Sequence, residues 1–220
     1  MNRRCEAVLF DLLTALLDSW SLWNAVAGDE QTGRSWREAY LAITYRTGSY
    51  LPYEELVGRA AESVGLPCHL GQELAARYGA IEPWPETGDV LATLRRAGVR
   101  LGVVTNCSER MGRLAASRIP VAFDVVVTAE RAGSYKPEPR PYLLALEELG
   151  AAPEQCLFVA GSAYDLDGAA RVGLPVWWHD RIGMALPPGA PAPVARHPTL
   201  RRLVSDVLVT KPSMHTGTHG

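Results

Sequence analysis

Four apolar runs in this chain each lead into polar residues of a kind that can do covalent hydrolytic chemistry. "EAVLF" (residues 6–10) ends at Asp11, and "LGVVTN" ends in Thr105 and Asn106. "FDVVVTAE" runs on to the turn "GSYKPEPRPY" with Lys136, and "CLFVAG" leads to Ser162 and Asp165. In a doubly wound sheet such ends converge on one crevice, which would bring together a candidate carboxylate nucleophile, an ammonium, hydroxyl and amide donors, and a second carboxylate. Each residue also has a plainer explanation. Asp11 could cap a helix, Ser108 and Ser162 could be N-caps of the segments they open, Lys136 could be a solvated turn residue, and Asp165 could pair with a surface arginine. Taken singly, the plainer explanation is preferred. The set, falling in order at successive run ends, reads as a site. Lysine usage points the same way: of 22 basic residues only Lys136 and Lys211 are lysines, and Lys211 lies in the terminal tail. An ammonium is not interchangeable with a guanidinium.

The elements that must position these residues are legible as alternation. Apolar runs at 6–10, 99–106, 123–130, 156–161 and 175–180 read as strands, and helices are expected within 82–98, 108–118, 138–150, 163–173 and 198–209. Near-continuous apolar strands alternating with helices indicate a parallel sheet covered on both faces. Residues 20 to 80 read as helical instead. "SWREAYLAITYR" sets Trp36, Tyr40, Ile43 and Thr44 on one face, "YEELVGRAAESVG" sets Leu56, Ala60 and Val64 on another, and "CHLGQELAARYG" ends at Gly79. The expected fold is α/β, with a Rossmann-like doubly wound parallel sheet (1–17 and 83–210) and a helical cap (18–82) inserted after the first strand. The insert would sit beside the carboxyl ends of the strands, where open α/β sheets place ligands. Residues 186–198 read as a loop and 211–220 as a disordered tail.

Composition narrows the function classes. The 220 residues are 47% hydrophobic and 21% charged, with net charge −2 and no long charge run, which argues against nucleic acid or acidic membranes as partners. No apolar run is long enough to span a bilayer, and Asp11 and Asp18 interrupt the only N-terminal apolar stretch, so no signal peptide is expected. Cys5, Cys68, Cys107 and Cys156 are widely spaced and make no zinc pattern, as expected of reduced thiols in a cytoplasmic protein. The six tryptophans are expected in packing rather than at an interface.

"FDLLTALLD", "LGVVTNCS", "SYKPEPRPY" and "LFVAGSAYDLDGAARVGLPVWWHDR" together resemble, in order and over nearly the whole chain before the tail, the haloacid dehalogenase-like hydrolases. Within that superfamily the chain is most similar to the (S)-2-haloacid dehalogenase branch. The resemblance implies that Asp11 attacks C2 of a small 2-haloacid, expels halide and forms an ester, which water held by Asp165 and Ser162 hydrolyses to the 2-hydroxy acid. It implies that Lys136 keeps Asp11 ionised, that Tyr142 orients the set, and that Arg37, Asn106 and Tyr53 cradle the halide. Thr105, Thr14, Leu13 and backbone amides would line the substrate's side of the site. No cofactor is implied, and a homodimer is suggested. The chain departs from that branch where an aromatic and Gly-Thr are replaced by Leu13-Thr14-Ala15, displacing the threonine by one place, and at Ala160 and Ser162, which replace polar side chains near the hydrolytic water.

The residues themselves favour carbon–halogen chemistry over phosphoryl transfer. Phosphatases resembling this pattern have an acid two residues after the nucleophile and a metal-binding aspartate at the fourth strand end. Here those positions are Leu13 and Ala160. A phosphate dianion meeting an anionic nucleophile needs a metal or several cations. A halide leaves without a proton, and a monoanionic 2-haloacid can be held by one arginine, one lysine and neutral donors. Two alternatives stay open: an atypical Mg²⁺-dependent phosphatase using Asp11, Asp165 and Asp167, and a non-catalytic small-molecule binder. The first predicts Mg²⁺-dependent phosphate release; the second predicts no turnover.

Overall fold

The computed structural model describes residues 2–209, so the tail at 211–220 lies outside the described residues. After a short strand β1 (Asn2–Arg3), the chain enters β2 (Ala7–Phe10), whose four residues are all buried. Four helices follow: α1 (Ser19–Ala27), α2 (Glu30–Thr47), α3 (Tyr53–Ser63) and α4 (Leu70–Ala76). Asp18 and Asp29 cap the first two by accepting from the backbone N–H of Ser21 and Thr32, as short acceptors do at helix starts. The alternating part then runs through α5 (Thr87–Arg96), β3 (Arg100–Thr105), α6 (Glu109–Ala116), β4 (Val125–Thr128), α7 (Ala129–Ala132) and α8 (Pro139–Leu149). It continues through β5 (Cys156–Ala160), α9 (Asp165–Arg171), β6 (Val176–His179), β7 (Ala195–His197), α10 (Arg201–Val207) and β8 (Leu208–Val209).

Six strands form one sheet in the order β4-β3-β2-β5-β6-β7, every pair parallel. Alternate side chains of β2 enter different cores. Val8 and Phe10 join α5, α6, α10 and the inserted helices, whereas Ala7 and Leu9 pack with α8 and α9. Both faces are therefore covered, as the apolar strands require. β3 and β5 flank β2, so the chain reverses its direction of winding at the strand that ends in Asp11. That is where such sheets open a crevice.

The doubly wound α/β fold read from the sequence is the fold observed. Several local readings are corrected. The segment 186–198 is not all loop, because Ala195–His197 pairs parallel to β6. Its flanking prolines, 193 and 198, hid a three-residue edge strand of the kind that tolerates proline next to it. The strand read through Glu130 stops at Thr128, whose hydroxyl accepts from Arg131 N–H and starts α7. The closing helix stops at Val207, and Leu208–Val209 pairs with β1 instead. The helix ending at Gly79 is α4 followed by a separate 3₁₀ turn (Tyr78–Ala80). Val64 lies just past the end of α3 and is 36% exposed, so its buried face is Tyr53, Leu56, Val57, Ala60 and Ala61. All six tryptophans are buried.

Candidate active site

The carboxyl ends of β2, β3 and β5 and the loop after α7 converge on a small cavity, and α2 covers it. Asp11, Leu13 and Thr14 line it from the end of β2, Asn106 from β3, Lys136 from the loop, and Ser162 and Asp165 from β5 and the first turn of α9. Arg37, Tyr40, Leu41 and Tyr45 close it from α2. The room left for a water-sized body is about 20 Å³, space for about one water.

Lys136 Nζ lies 2.8 Å from Asp11 Oδ1 and 2.8 Å from Asp165 Oδ1, with the ammonium and Asp165 both buried. Asp11 Oδ2 accepts from Thr14 N–H at 3.0 Å, Thr14 Oγ1 at 2.7 Å and Ala15 N–H at 3.3 Å. The threonine displaced by one place thus still reaches the carboxylate, because the turn after β2 curls back onto it. Burial pushes the Asp11 carboxyl up, but the Lys136 charge and the bonds from Lys136 and Thr14 outweigh it and hold Asp11 below the usual carboxylate range. Asp165 goes the other way: burial raises it, Lys136 opposes, and the Asp11 charge adds to the rise. Burial lowers Lys136, but the two carboxylates outweigh it and raise it. The set is an ionised Asp11, a firmly charged ammonium, and a second carboxylate that takes up a proton more readily than its neighbour.

Arg37 is 1% exposed, and its Nε and Nη1 are buried without a hydrogen-bond partner among the described residues. Its guanidinium lies 4.9 Å from the Trp20 ring centre and 5.2 Å from that of Trp23. A buried cation with unspent donors facing a cavity is costly unless an anion arrives. Arg37, Leu41 and Tyr45 are four residues apart, so α2 presents all three to the cavity, next to the face that carries Trp36, Tyr40 and Thr44. Tyr45 escaped the sequence reading. Its hydroxyl donates to Asp165 Oδ1, and the four-residue repeat from Arg37 was the signal that could have found it. Tyr40 donates to the backbone carbonyl of Asn106 at 2.7 Å, fixing α2 over the sheet.

Other expected residues stand further back. Asn106 uses its side-chain oxygen to accept from Lys136 N–H at 2.8 Å and its amide to donate to Lys136 C=O at 3.2 Å, so it holds the lysine loop while still lining the cavity. Ser162 Oγ accepts from Tyr164 N–H, so Ser162 supports the turn into α9. Thr105, Tyr53 and Tyr142 are buried but do not line the cavity. Tyr53 bonds to the Tyr78 hydroxyl and packs edge-on behind Tyr40. Tyr142 packs on Phe158, whose ring lies 5.6 Å from the Lys136 ammonium, and its own hydroxyl has no partner.

Gly161 makes the junction possible. A Cβ there would collide with Ala15 N and the Thr14 hydroxyl, so β5 and the Asp11 turn can touch only through a residue without a side chain. Gly161→Ala is expected to destabilise the fold by about 1–3 kcal/mol. It should also lower turnover by displacing the Thr14 and Ala15 donors. Urea unfolding and steady-state rates check both; wild-type values for both would remove this close approach from the account.

The donor set does not fit magnesium. Among the described residues no three Asp, Glu, His or Cys side chains converge as ligands. Asp167, the third carboxylate the phosphatase alternative needed, points outward, 52% exposed, onto Arg171, and the ammonium already sits between Asp11 and Asp165. Among the described residues no helix is long and apolar enough to cross a membrane.

The parallel α/β core thus carries a carboxylate at the end of its first long strand and a lysine that bridges it to a second carboxylate, the layout of an α/β enzyme with its site at the strand ends. The chain belongs to the haloacid dehalogenase-like hydrolase family, whose sequence pattern matches residues 7–173. It is 28% identical over 200 residues to haloacetate dehalogenase H-2 of Moraxella sp. (strain B), covering 83% of this chain and 89% of that protein. It is 29% identical over 199 residues to an (S)-2-haloacid dehalogenase of Pseudomonas putida, covering 81% and 86%. A solved L-2-haloacid dehalogenase superposes with a TM-score of 0.81 at 27% identity, covering 92% of this chain and 98% of that one.

Proposed function

We propose that this hydrolase removes halide from small 2-haloacids without a metal, through an ester on Asp11, giving the 2-hydroxy acid. Residues 18–82 act as a cap over a core of 1–17 and 83–210; the bridge between Leu17 and Pro83 ties together the two strands of chain that enter and leave it. The observation that carries the reading is the buried guanidinium of Arg37, whose Nε and Nη1 have no partner among the described residues, lining the same small cavity as an ionised Asp11. A monoanion that releases a stable halide anion suits that charge pattern: Arg37 takes its carboxylate or the departing halide, and the halide leaves without the proton that Leu13 could not supply.

The oxygens of Asp11 divide the work. Oδ1 meets one donor, Lys136, and keeps lone pairs for C2; as the C–O bond forms, the carbon–halogen bond breaks and halide leaves with its electron pair. Oδ2, held by Thr14 N–H, Thr14 Oγ1 and Ala15 N–H, becomes the ester carbonyl oxygen. When water adds to that carbonyl, giving a proton to Asp165, those three donors stabilise the oxyanion. Collapse releases the alkoxide, which takes a proton to become the hydroxy acid, and Asp11 ionises again. The water oxygen therefore stays on Asp11 in the first turnover.

The test is halide release from racemic 2-chloro- and 2-bromopropionate with EDTA present, followed by a single turnover in H₂¹⁸O. Release with label on the Asp11 peptide supports the reading. An absence of release, or label in the product alone, would overturn it. Arg37→Met gives a second check. Removing the unpaired cation should stabilise the free protein by on the order of 1 kcal/mol, after the lost cation–π contacts are set against the desolvation relieved. kcat/KM should fall by about 10²–10³-fold. A loss of stability with unchanged kcat/KM would make Arg37 a packing residue only.

A further inference from the structure

In that reaction Asp165 holds the water that opens the ester. Ala160 offers that water no polar side-chain atom, and the Ser162 hydroxyl is tied to the turn by accepting from Tyr164 N–H. Yet Asp165 is fully buried, and its two oxygens are treated differently. Oδ1 receives both Lys136 Nζ and the Tyr45 hydroxyl, while Oδ2 is buried with no partner among the described residues. We propose that Tyr45 is the positioning residue of the hydrolytic step: its phenol pins Oδ1, so that Oδ2 is left aimed at the water. The inference rests on the reaction proposed above.

Tyr45 is built for that place. It shares the cavity-facing stripe of α2 with Arg37, so one rigid helix carries both the anion holder and the donor to the water-binding carboxylate. Its ring packs against Tyr164, centroids 5.2 Å apart, beside the N-terminus of α9. It also lines a larger hollow of about 360 Å³ bounded by Pro137, Pro187 and Pro188, and so stands between that hollow and the small site cavity. Burial and the neighbouring Asp165 charge raise the phenol well above its ordinary range, so it remains a donor at neutral pH. The groups facing Asp165 are Lys136, Asp11, Tyr45 and, from α8, Tyr142. Of these only Lys136 and Tyr45 donate to it, and both bonds favour its charged form.

In the balanced step, water gives one proton to Asp165 as its oxygen bonds to the ester carbonyl carbon. The acyl–oxygen bond then breaks, and the proton passes to the departing alkoxide. Without the phenol, Asp165 holds its proton to higher pH and is free to turn, so ester hydrolysis slows while ester formation, which does not use Asp165 as a base, does not.

Tyr45→Phe keeps the ring and its wall, whereas Tyr45→Ala removes both. In Tyr45→Phe, a burst of halide equal to the enzyme concentration is expected, followed by turnover slower by about 10- to 100-fold. The ester should be visible on the Asp11 peptide by mass, and the acid limb of the kcat profile should move to higher pH. In Tyr45→Ala the acid limb should move likewise, which separates the hydroxyl from the wall. Slower turnover without a burst, with the acid limb unmoved, overturns the proposal and leaves Tyr45 a packing residue. If the wild type releases no halide, the failure lies in the proposed reaction, and the Tyr45–Asp165 link is read by ¹³C NMR titration of labelled aspartate carboxyls. An Asp165 titration moved up in Tyr45→Phe supports the link, and an unmoved one overturns it.

Discussion

Lys136→Met is expected to destabilise the fold by about 3–5 kcal/mol at neutral pH and to abolish turnover. The ammonium is 1% exposed and is the only cation within ion-pair distance of Asp11 and Asp165 among the described residues. Without it, two buried carboxylates face each other across the cavity, and burial and mutual repulsion raise both. A carboxyl whose folded pKa is raised loses stability as pH rises above its unfolded value, so the variant should be more stable near pH 5 than near pH 8. The wild type differs in its pH window, not in sign. Its Lys136 is raised in the folded chain, so the lysine's contribution is complete below the unfolded value of about 10.4 and is lost only as pH climbs through the higher folded value. Urea unfolding at several pH values measures this, and equal midpoints for variant and wild type at pH 8 would refute it. The loss of turnover has the same origin, because an Asp11 that keeps its proton cannot attack carbon.

Asp11→Asn separates chemistry from stability. Turnover should fall by on the order of 10⁴-fold or more, since an amide cannot form the ester, and losses of that size follow removal of a nucleophile elsewhere. Stability at pH 7 should fall only by what ionised Asp11 itself contributes, because Lys136 keeps its contact with Asp165 at 2.8 Å. The acid side carries the sign. Asp11 is held low in the folded chain, so its contribution is present above the ordinary value of about 3.9 and disappears as pH falls through the lower folded value. The amide variant lacks that term and should lose less stability on acidification. Halide release and unfolding curves from pH 7 down to pH 3 decide it; retained turnover would place the nucleophile elsewhere.

Much of this was open to a reading of the residues. "EAVLF", "LGVVTN" and "CLFVAG" are apolar throughout because parallel strands are buried on both faces, and their polar endings mark the crevice because the sheet has only one end where successive connections open. Asp11, Lys136 and Asp165 could therefore be named in advance. Leu13 and Ala160 stood where a phosphatase of this superfamily has an acid and a metal-binding aspartate, but the residues alone left a site of Asp11, Asp165 and Asp167 open.

What only the tertiary structure decided are distances between elements far apart in the chain. Whether Asp167 turned inward depended on how α9 sat against the sheet, and it bonds to Arg171 at the surface. Thr105, Tyr53 and Tyr142 were named from strand ends and resemblance, but the packing of α2 and α8 placed other atoms at the cavity wall. Tyr45 illustrates the limit best. It is 120 residues from Asp165 in sequence, and no local pattern reports a hydrogen bond made by docking one rigid element on another. Local propensity and apolar period determine which elements form. Which side chains meet is set by how those elements pack, and that depends on the whole chain at once.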